Sequence, residues 1–141
     1  MRASTDHLGF LLAKASQRWN QLLAEAFSEH GFPQVRPAYG SILLPLFEED
    51  GQRMLTLAHR ARLPKQTMTT LIRQMDRDDL IRREPDAADA RAMRVWLTRT
   101  ARDFQHVAEE CLADLDARVA GRLDPTALTV LRAALREVMD L

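Results

Sequence analysis

The run KQTMTTLIR, Lys65 to Arg73, sets the polar side chains Lys65, Gln66, Thr67, Thr69, Thr70 and Arg73 among apolar ones at helical spacing. Met68, Leu71, Ile72 and Met75 recur as i, i+3, i+4 and i+7, which defines one buried stripe on a helix opened by Pro64. At about 100° per residue, Gln66, Thr70, Arg73 and Arg77 point away from that stripe, with Thr69 on its flank. Such a face can hydrogen-bond flat polar edges. Arginine pairs bidentately with guanine O6 and N7, glutamine with adenine, and threonine brings a methyl to thymine or a hydroxyl to a phosphate. A polar helix face is also what simple solvation produces, so the neighbouring elements must decide between the two.

Charge is the first of these neighbours. The chain carries 20 basic and 20 acidic side chains, so its total charge points to no partner. Their distribution is uneven. Arg53, Arg60, Arg62, Lys65, Arg73, Arg77, Arg82, Arg83, Arg91 and Arg94 crowd into residues 53–94 with six acids, leaving ten basic residues against fourteen acids in the flanks. A basic middle between acidic flanks is the footprint of a phosphate-binding surface, although a solvated charged face has the same composition.

After the polar-faced helix, Leu80–Glu84 reads as extended, PDAADARA as a polar loop, and Met93–Thr98 alternates Met93, Val95 and Leu97 with Arg94 and Trp96. Two short strands around that loop form a wing with Arg91 near its tip. A basic tip suits a narrow minor groove, while Arg82, Arg83 and Arg94 at the base suit phosphates, which position a protein without specifying sequence.

The elements that must hold these groups are helical. Leu8, Leu11, Leu12, Ala15, Trp19, Leu22, Leu23, Ala26 and Phe27 predict a helix over about residues 5–30, stopped by Gly31. Pro37 opens a second helix with Tyr39, Ile42, Leu43, Leu46 and Phe47 on its apolar face and Gly51 as its stop, and Pro45 predicts a kink or split near Ser41–Leu43. A short helix over Thr56–Arg62, burying Leu57, Ala58 and Ala61, stands where the supporting helix of a helix-turn-helix belongs. Thr98 caps a fifth helix over 99–120 with Phe104, Val107, Ala108, Cys111, Leu112, Leu115 and Val119 in line, and Asp124-Pro125 opens a last one. The expected fold is mainly α, an α+β winged helix-turn-helix of six helices and a two- to three-stranded wing.

These residues carry a resemblance. The stretch LPKQTMTTLIRQMDRDDLIRREPDAADARAMRVWLT is similar to the winged helix-turn-helix of the MarR family of bacterial regulators. The family's Lys-x-Thr helix start falls on Lys65 and Thr67, its leucine before two arginines on Leu80 and Arg82-Arg83, its wing pattern on Asp86, Asp89 and Arg91, and its closing Leu-Thr on Leu97-Thr98. The resemblance implies a homodimer held by the first, fifth and sixth helices, with 1–35 and 99–141 as the dimerisation region and 36–98 as the DNA-binding region of one intertwined domain. It also implies a palindromic operator on double-stranded DNA, repression, and a small aromatic effector bound between the two regions. The chain departs from the pattern at Asp79, Ala87, Ala90 and Ala101, which leaves Arg91 alone at the wing tip.

Other residues keep two readings. Phe10, Trp19, Tyr39 and Phe47 are weak candidates for an effector pocket, with core and dimer interface as the favoured reading. Cys111 is a lone cysteine on an apolar stripe beside Glu109 and Glu110, which favours packing over thiol reactivity. His106 and Glu110 have a spacing that can share a metal or simply face solvent. No phosphate loop, nucleophile elbow or paired carboxylate motif is present, so no enzyme, cofactor or metal is expected. The absence of a long apolar run or a secretory N-terminus places the expected protein in the cytoplasm, away from membranes. An alternative function remains, a winged helix used only as a protein-interaction module.

Overall fold

The computed structural model of the chain describes residues 2–141. In chain order it contains α1 (Leu8–Glu29), a 3-10 turn (Pro37–Tyr39), α2 (Gly40–Glu48), β1 (Gln52–Arg53), α3 (Met54–Ala61), α4 (Lys65–Arg77), β2 (Ile81–Pro85), β3 (Met93–Leu97), α5 (Arg99–Arg122) and α6 (Pro125–Met139). The chain divides into two units, Met1–Val107 and Ala108–Leu141.

In the first unit, α1 stops where glycine allows it. Gly31 takes φ +90°, and the N–H groups of Gly31 and Phe32 return to the carbonyls of Ser28 and Phe27 at 3.1 and 2.9 Å. This closes the helix with a left-handed residue and folds Phe32 back toward it. Phe27 and Phe32 then meet the ring of Phe104 edge-on, at centroid distances of 4.8 and 5.2 Å.

The second helical segment is split, but not where Pro45 predicts. The change of pitch falls at Gly40, and α2 runs through Pro45. Ser41, whose carbonyl loses its usual donor at Pro45, lies on the exposed side, where water can replace the missing N–H. Ile42, Leu43 and Leu46 fill the core from the other side.

Strand β1 is an element that the sequence reading did not place. Gln52 and Arg53 pair with Val95 and Arg94 of β3, giving an antiparallel sheet of order β1-β3-β2. The Gln52 amide donates to the carbonyls of Pro45 and Glu49 at 2.8 and 2.6 Å, so it caps α2 and turns the chain into the strand. Arg53 leads directly into α3, which starts two residues earlier than expected and fully buries Leu57, whereas Ala58 and Ala61 are half-buried.

Helix α4 buries Met68, Ile72 and Met75 and half-buries Leu71. Asp79 follows its last turn in left-handed backbone at φ +58°, and Leu80 N–H returns to the Met75 carbonyl at 2.9 Å. Register within the hairpin pairs Ile81 with Leu97 and Glu84 with Arg94. Val95 and Leu97 point into the core as the alternation required. Thr98 caps α5, accepting the Ala101 N–H at 3.1 Å.

In the second unit, Cys111 and Leu115 of α5 are buried, Asp124 caps α6 by accepting the Ala127 N–H at 2.7 Å, and Arg132 pairs with Asp116 at 2.8 Å. Helix α6 buries none of its residues. No helix among the described residues is long and apolar enough to cross a membrane.

Gly51 gives a direct test of the sheet. It takes φ +66°, and a Cβ there would run into Cη2, Cζ2 and Cζ3 of Trp96. Gly51→Ala should lower stability by about 2–4 kcal/mol from the left-handed backbone and the overpacked ring together, read as a lower urea midpoint at unchanged m-value.

Candidate nucleic-acid interface

The polar face of α4 is open along its length. Lys65, Gln66, Thr67, Thr69, Thr70, Arg73 and Arg77 are all exposed, while the opposite stripe is buried. Lys65, Gln66, Thr69, Thr70 and Arg73 line one shallow depression. The Thr69 and Thr70 hydroxyls donate to the carbonyls of Lys65 and Gln66 at 3.0 and 3.1 Å. Their protons are therefore engaged, and what they present outward is a methyl and an oxygen lone pair. A groove between α3 and α4, lined by Met54, Leu55, Ala58, Leu63, Met68 and Ile72, meets this depression at Lys65, Thr69 and Arg73.

Side chains from distant parts of the sequence hold the C-terminal end of α4. Tyr39 has no exposed surface, and its hydroxyl donates to Asp78 Oδ2 at 2.6 Å. Burial, and next the bond to Asp78, push the phenol up to about 12, so it stays a donor at any physiological pH. This corrects the reading of Tyr39 as an effector-pocket residue: it is core, with its one polar atom committed. Thr98 and Thr100 donate to the Asp79 carbonyl and carboxylate at 2.6 and 3.0 Å, which ties the same helix end to the start of α5.

The wing is clasped at its base by a buried carboxylate. Asp86, 5% exposed, accepts the Ala88 N–H at 3.2 Å and faces Arg53 at 2.6 Å and Arg94 at 3.3 Å. The Arg53 contact is an off-axis ion pair, so Oδ2 gains a neutralising charge without an aligned hydrogen bond. The Ala88 N–H lowers the carboxyl most; burial opposes it, the Arg94 bond and the Arg53 charge lower it further, and it ends below the usual carboxylate range. Asp89 shapes the tip by accepting the Arg91 N–H at 3.0 Å. Asp86 and Asp89 of the wing pattern thus build the hairpin.

The wing arginines divide accordingly. Arg94, expected on a phosphate, instead donates to the Gly51 carbonyl at 2.7 Å and pairs with Asp86, so its guanidinium is occupied inside the wing. Arg82 pairs with Glu84 at 2.9 Å and Arg83 with Asp76 at 3.0 Å. Both pairs are exposed, and exposed pairs are worth only about 0–1 kcal/mol, so a phosphate can take over either arginine at small cost. Arg91 is 94% exposed, with Asp89 3.4 Å away.

The aromatic candidates do not share one environment. Phe10 is exposed with Lys14 Nζ 5.5 Å above its ring, Trp19 and Phe47 are half-buried, and Tyr39 is enclosed. His106 and Glu110 are exposed, and no cluster of three or more potential metal ligands occurs among the described residues. The sequence reading counted Arg60 and Arg62, at the end of α3, only in the basic footprint. Arg60 pairs with Glu48 and Glu49 at 3.4 and 3.8 Å. Its side chain is taken up there.

A supporting helix, an exposed polar helix after a tight turn, and a following hairpin define a winged helix-turn-helix protein. Residues 37–93 match the model of the MarR family, so the winged helix of this chain is similar to that family's. A curated relative, the transcriptional regulator HosA of Escherichia coli O127:H6, is 26% identical over 129 residues, covering 90% of this chain and 96% of its own. Among solved structures, the PcaV transcriptional regulator of Streptomyces coelicolor in complex with its natural ligand superposes at TM-score 0.83 and 20% identity, covering 99% of this chain and 98% of its own. The repressor CouR bound to a 23-mer DNA duplex superposes at TM-score 0.81 and 19% identity, covering 99% of both chains. At these identities the structures confirm the fold.

The Asp86 clasp predicts a pH dependence. Its folded carboxyl lies below the ordinary value of about 3.9, so the stabilisation is fully present above that pH and is lost as pH falls through the folded value. The stability difference between wild type and Asp86→Asn should be flat from about pH 7 to pH 5 and shrink below about pH 4, followed by urea denaturation.

Proposed function

We propose that this protein is a dimeric transcription regulator that reads duplex DNA with α4 and represses from a palindromic operator. The observation that carries the reading is the exposed row Gln66, Thr70 and Arg73 on a helix fixed at its C-terminal end and flanked by a clasped wing. Lys65, Gln66, Thr67, Thr69, Thr70 and Arg73 lie in the first turns, where the second helix of a helix-turn-helix reaches base edges. Arg77, Arg82 and Arg83 serve phosphates, and Arg91 serves the minor groove. Residues 36–98 form the DNA-binding region. Regulator relatives, and a structural neighbour bound to a DNA duplex, support the reading.

Two exposed apolar faces support a dimer. Helix α6 exposes Val130, Leu131, Leu135, Val138 and Met139 while burying nothing, and α1 exposes Leu8, Phe10 and Leu11. An amphipathic helix without a buried face needs a partner surface. Helices from both ends of the chain, within 1–35 and 99–141, therefore form the dimerisation region. A two-fold dimer places the recognition helices one turn of DNA apart, so half-sites lie about 10 base pairs apart. A small-molecule effector is supported by the neighbour PcaV, which was solved in complex with its natural ligand, and an aromatic effector would use Phe10, Trp19 or Phe47.

Arg73→Ala should cost about 1–3 kcal/mol at particular base positions, whereas Arg82→Ala should weaken all sequences alike and flatten the salt dependence. Competition binding with operator variants separates the two. Unchanged duplex affinity in Arg73→Ala would favour a protein-interaction module instead. Analytical ultracentrifugation should give a dimer at micromolar concentration that Leu131→Asp dissociates; a wild-type monomer there would count against the reading.

A further inference from the structure

Threonine is a poor residue for an exposed helix surface, because its branched side chain is restricted against the preceding turn. Helix α4 nevertheless carries Thr67, Thr69 and Thr70 at exposed positions. Lysine or glutamate would serve solubility there and form helix better. What threonine adds is a methyl beside a hydroxyl on one short, stiff side chain.

The hydroxyls of two of these residues are already engaged. Thr69 Oγ1 donates to the Lys65 carbonyl at 3.0 Å and Thr70 Oγ1 to the Gln66 carbonyl at 3.1 Å. A phosphate oxygen only accepts hydrogen bonds, so either hydroxyl could serve one only by giving up its internal bond. That bond also draws the oxygen against the helix, which leaves the methyl as the substituent free to meet a partner. The two threonines differ in direction. Thr69 lines the groove between α3 and α4 as well as the depression on the reading face, whereas Thr70 lines the depression alone. On that face Thr70 stands one turn after Gln66 and one turn before Arg73. In the major groove the apolar complement of a methyl is the C5 methyl of thymine.

We propose that Thr70 is a thymine reader, its methyl packing on a thymine C5 methyl inside the half-site, between the base pairs met by Gln66 and Arg73. The proposal rests on the DNA-binding reading above. It assigns specificity at this position to an apolar contact and not to a hydrogen bond.

For the test, duplexes of about 30 base pairs, enough for two half-sites one turn apart, are enriched from a random-sequence library with the wild-type chain. Each thymine of the enriched duplex is then replaced in turn by deoxyuridine, which removes only the C5 methyl. At one thymine in each half-site, wild type should prefer thymine to uracil about fourfold, the effect of burying one methyl-sized group. Thr70→Val has the methyl without the hydroxyl and should retain that preference. Thr70→Ser has the hydroxyl without the methyl and should lose it. Each preference compares two duplexes on the same variant, so a change in folded fraction cancels. Absence of a uracil effect at every thymine in wild type, its loss in Thr70→Val, or its survival in Thr70→Ser overturns the proposal, while enrichment by wild type leaves the DNA-binding reading intact. Wild type that enriches no sequence overturns both.

Discussion

A phenol with no exposed surface donates its proton to the carboxylate at the end of α4, and the aim of the reading face depends on that bond. The two residues are 39 positions apart. Removing Asp78 would leave the buried Tyr39 hydroxyl unpaired, at a cost of about 1–3 kcal/mol, so α4 is held by more than its apolar stripe. Burial keeps the phenol protonated, and the contact stays a donor meeting an acceptor. The proposed reading of base edges needs this, because a small rotation of α4 about its axis would turn Gln66 and Arg73 together.

Aspartates do similar work elsewhere in the winged unit. Asp50 accepts from the N–H groups of Gly51 and Leu97 at 2.9 Å and pairs with Arg102 at 2.8 Å, tying β1, the end of β3 and α5 together. Asp86 joins β1, β3 and the wing loop. These carboxylates use arginines that a count of basic residues assigns to DNA. Within residues 53–94, Arg53 and Arg94 pair with Asp86, and Arg60 pairs with Glu48 and Glu49. The basic middle of the sequence is therefore partly a scaffold, and fewer cations than the count suggests are left for phosphates.

The helices were legible because their signals are local and periodic: the stripe from Met68 to Met75, the glycine at 31, the threonine at 98 and the aspartate at 124 each act within a turn or two of themselves. The exposed face of α4 followed from the stripe by geometry alone. What was not legible depends on contacts far apart in the chain. Two residues of β1 carry no alternation to detect. Tyr39 looks like any apolar-face aromatic until Asp78 is placed beside it, and Arg94 looks like any wing arginine until Gly51 and Asp86 are. Arg62 counted only as charge, since nothing in its neighbours announces its left-handed backbone at φ +53°. The position of the helix break failed for a different reason: Pro45 forbids one hydrogen bond, but an exposed Ser41 carbonyl can do without it.

Trp96 lies over Gly51 on the strand that joins both edges of the sheet, and the chain has only one other tryptophan, Trp19 on α1. The indole is half-buried because that glycine leaves room for it. Its emission therefore reports directly on the seating of the wing, without an attached dye. In a Trp19→Phe background, spectral shifts on adding DNA or a small molecule would arise from β3 alone, giving the sheet an optical signal of its own.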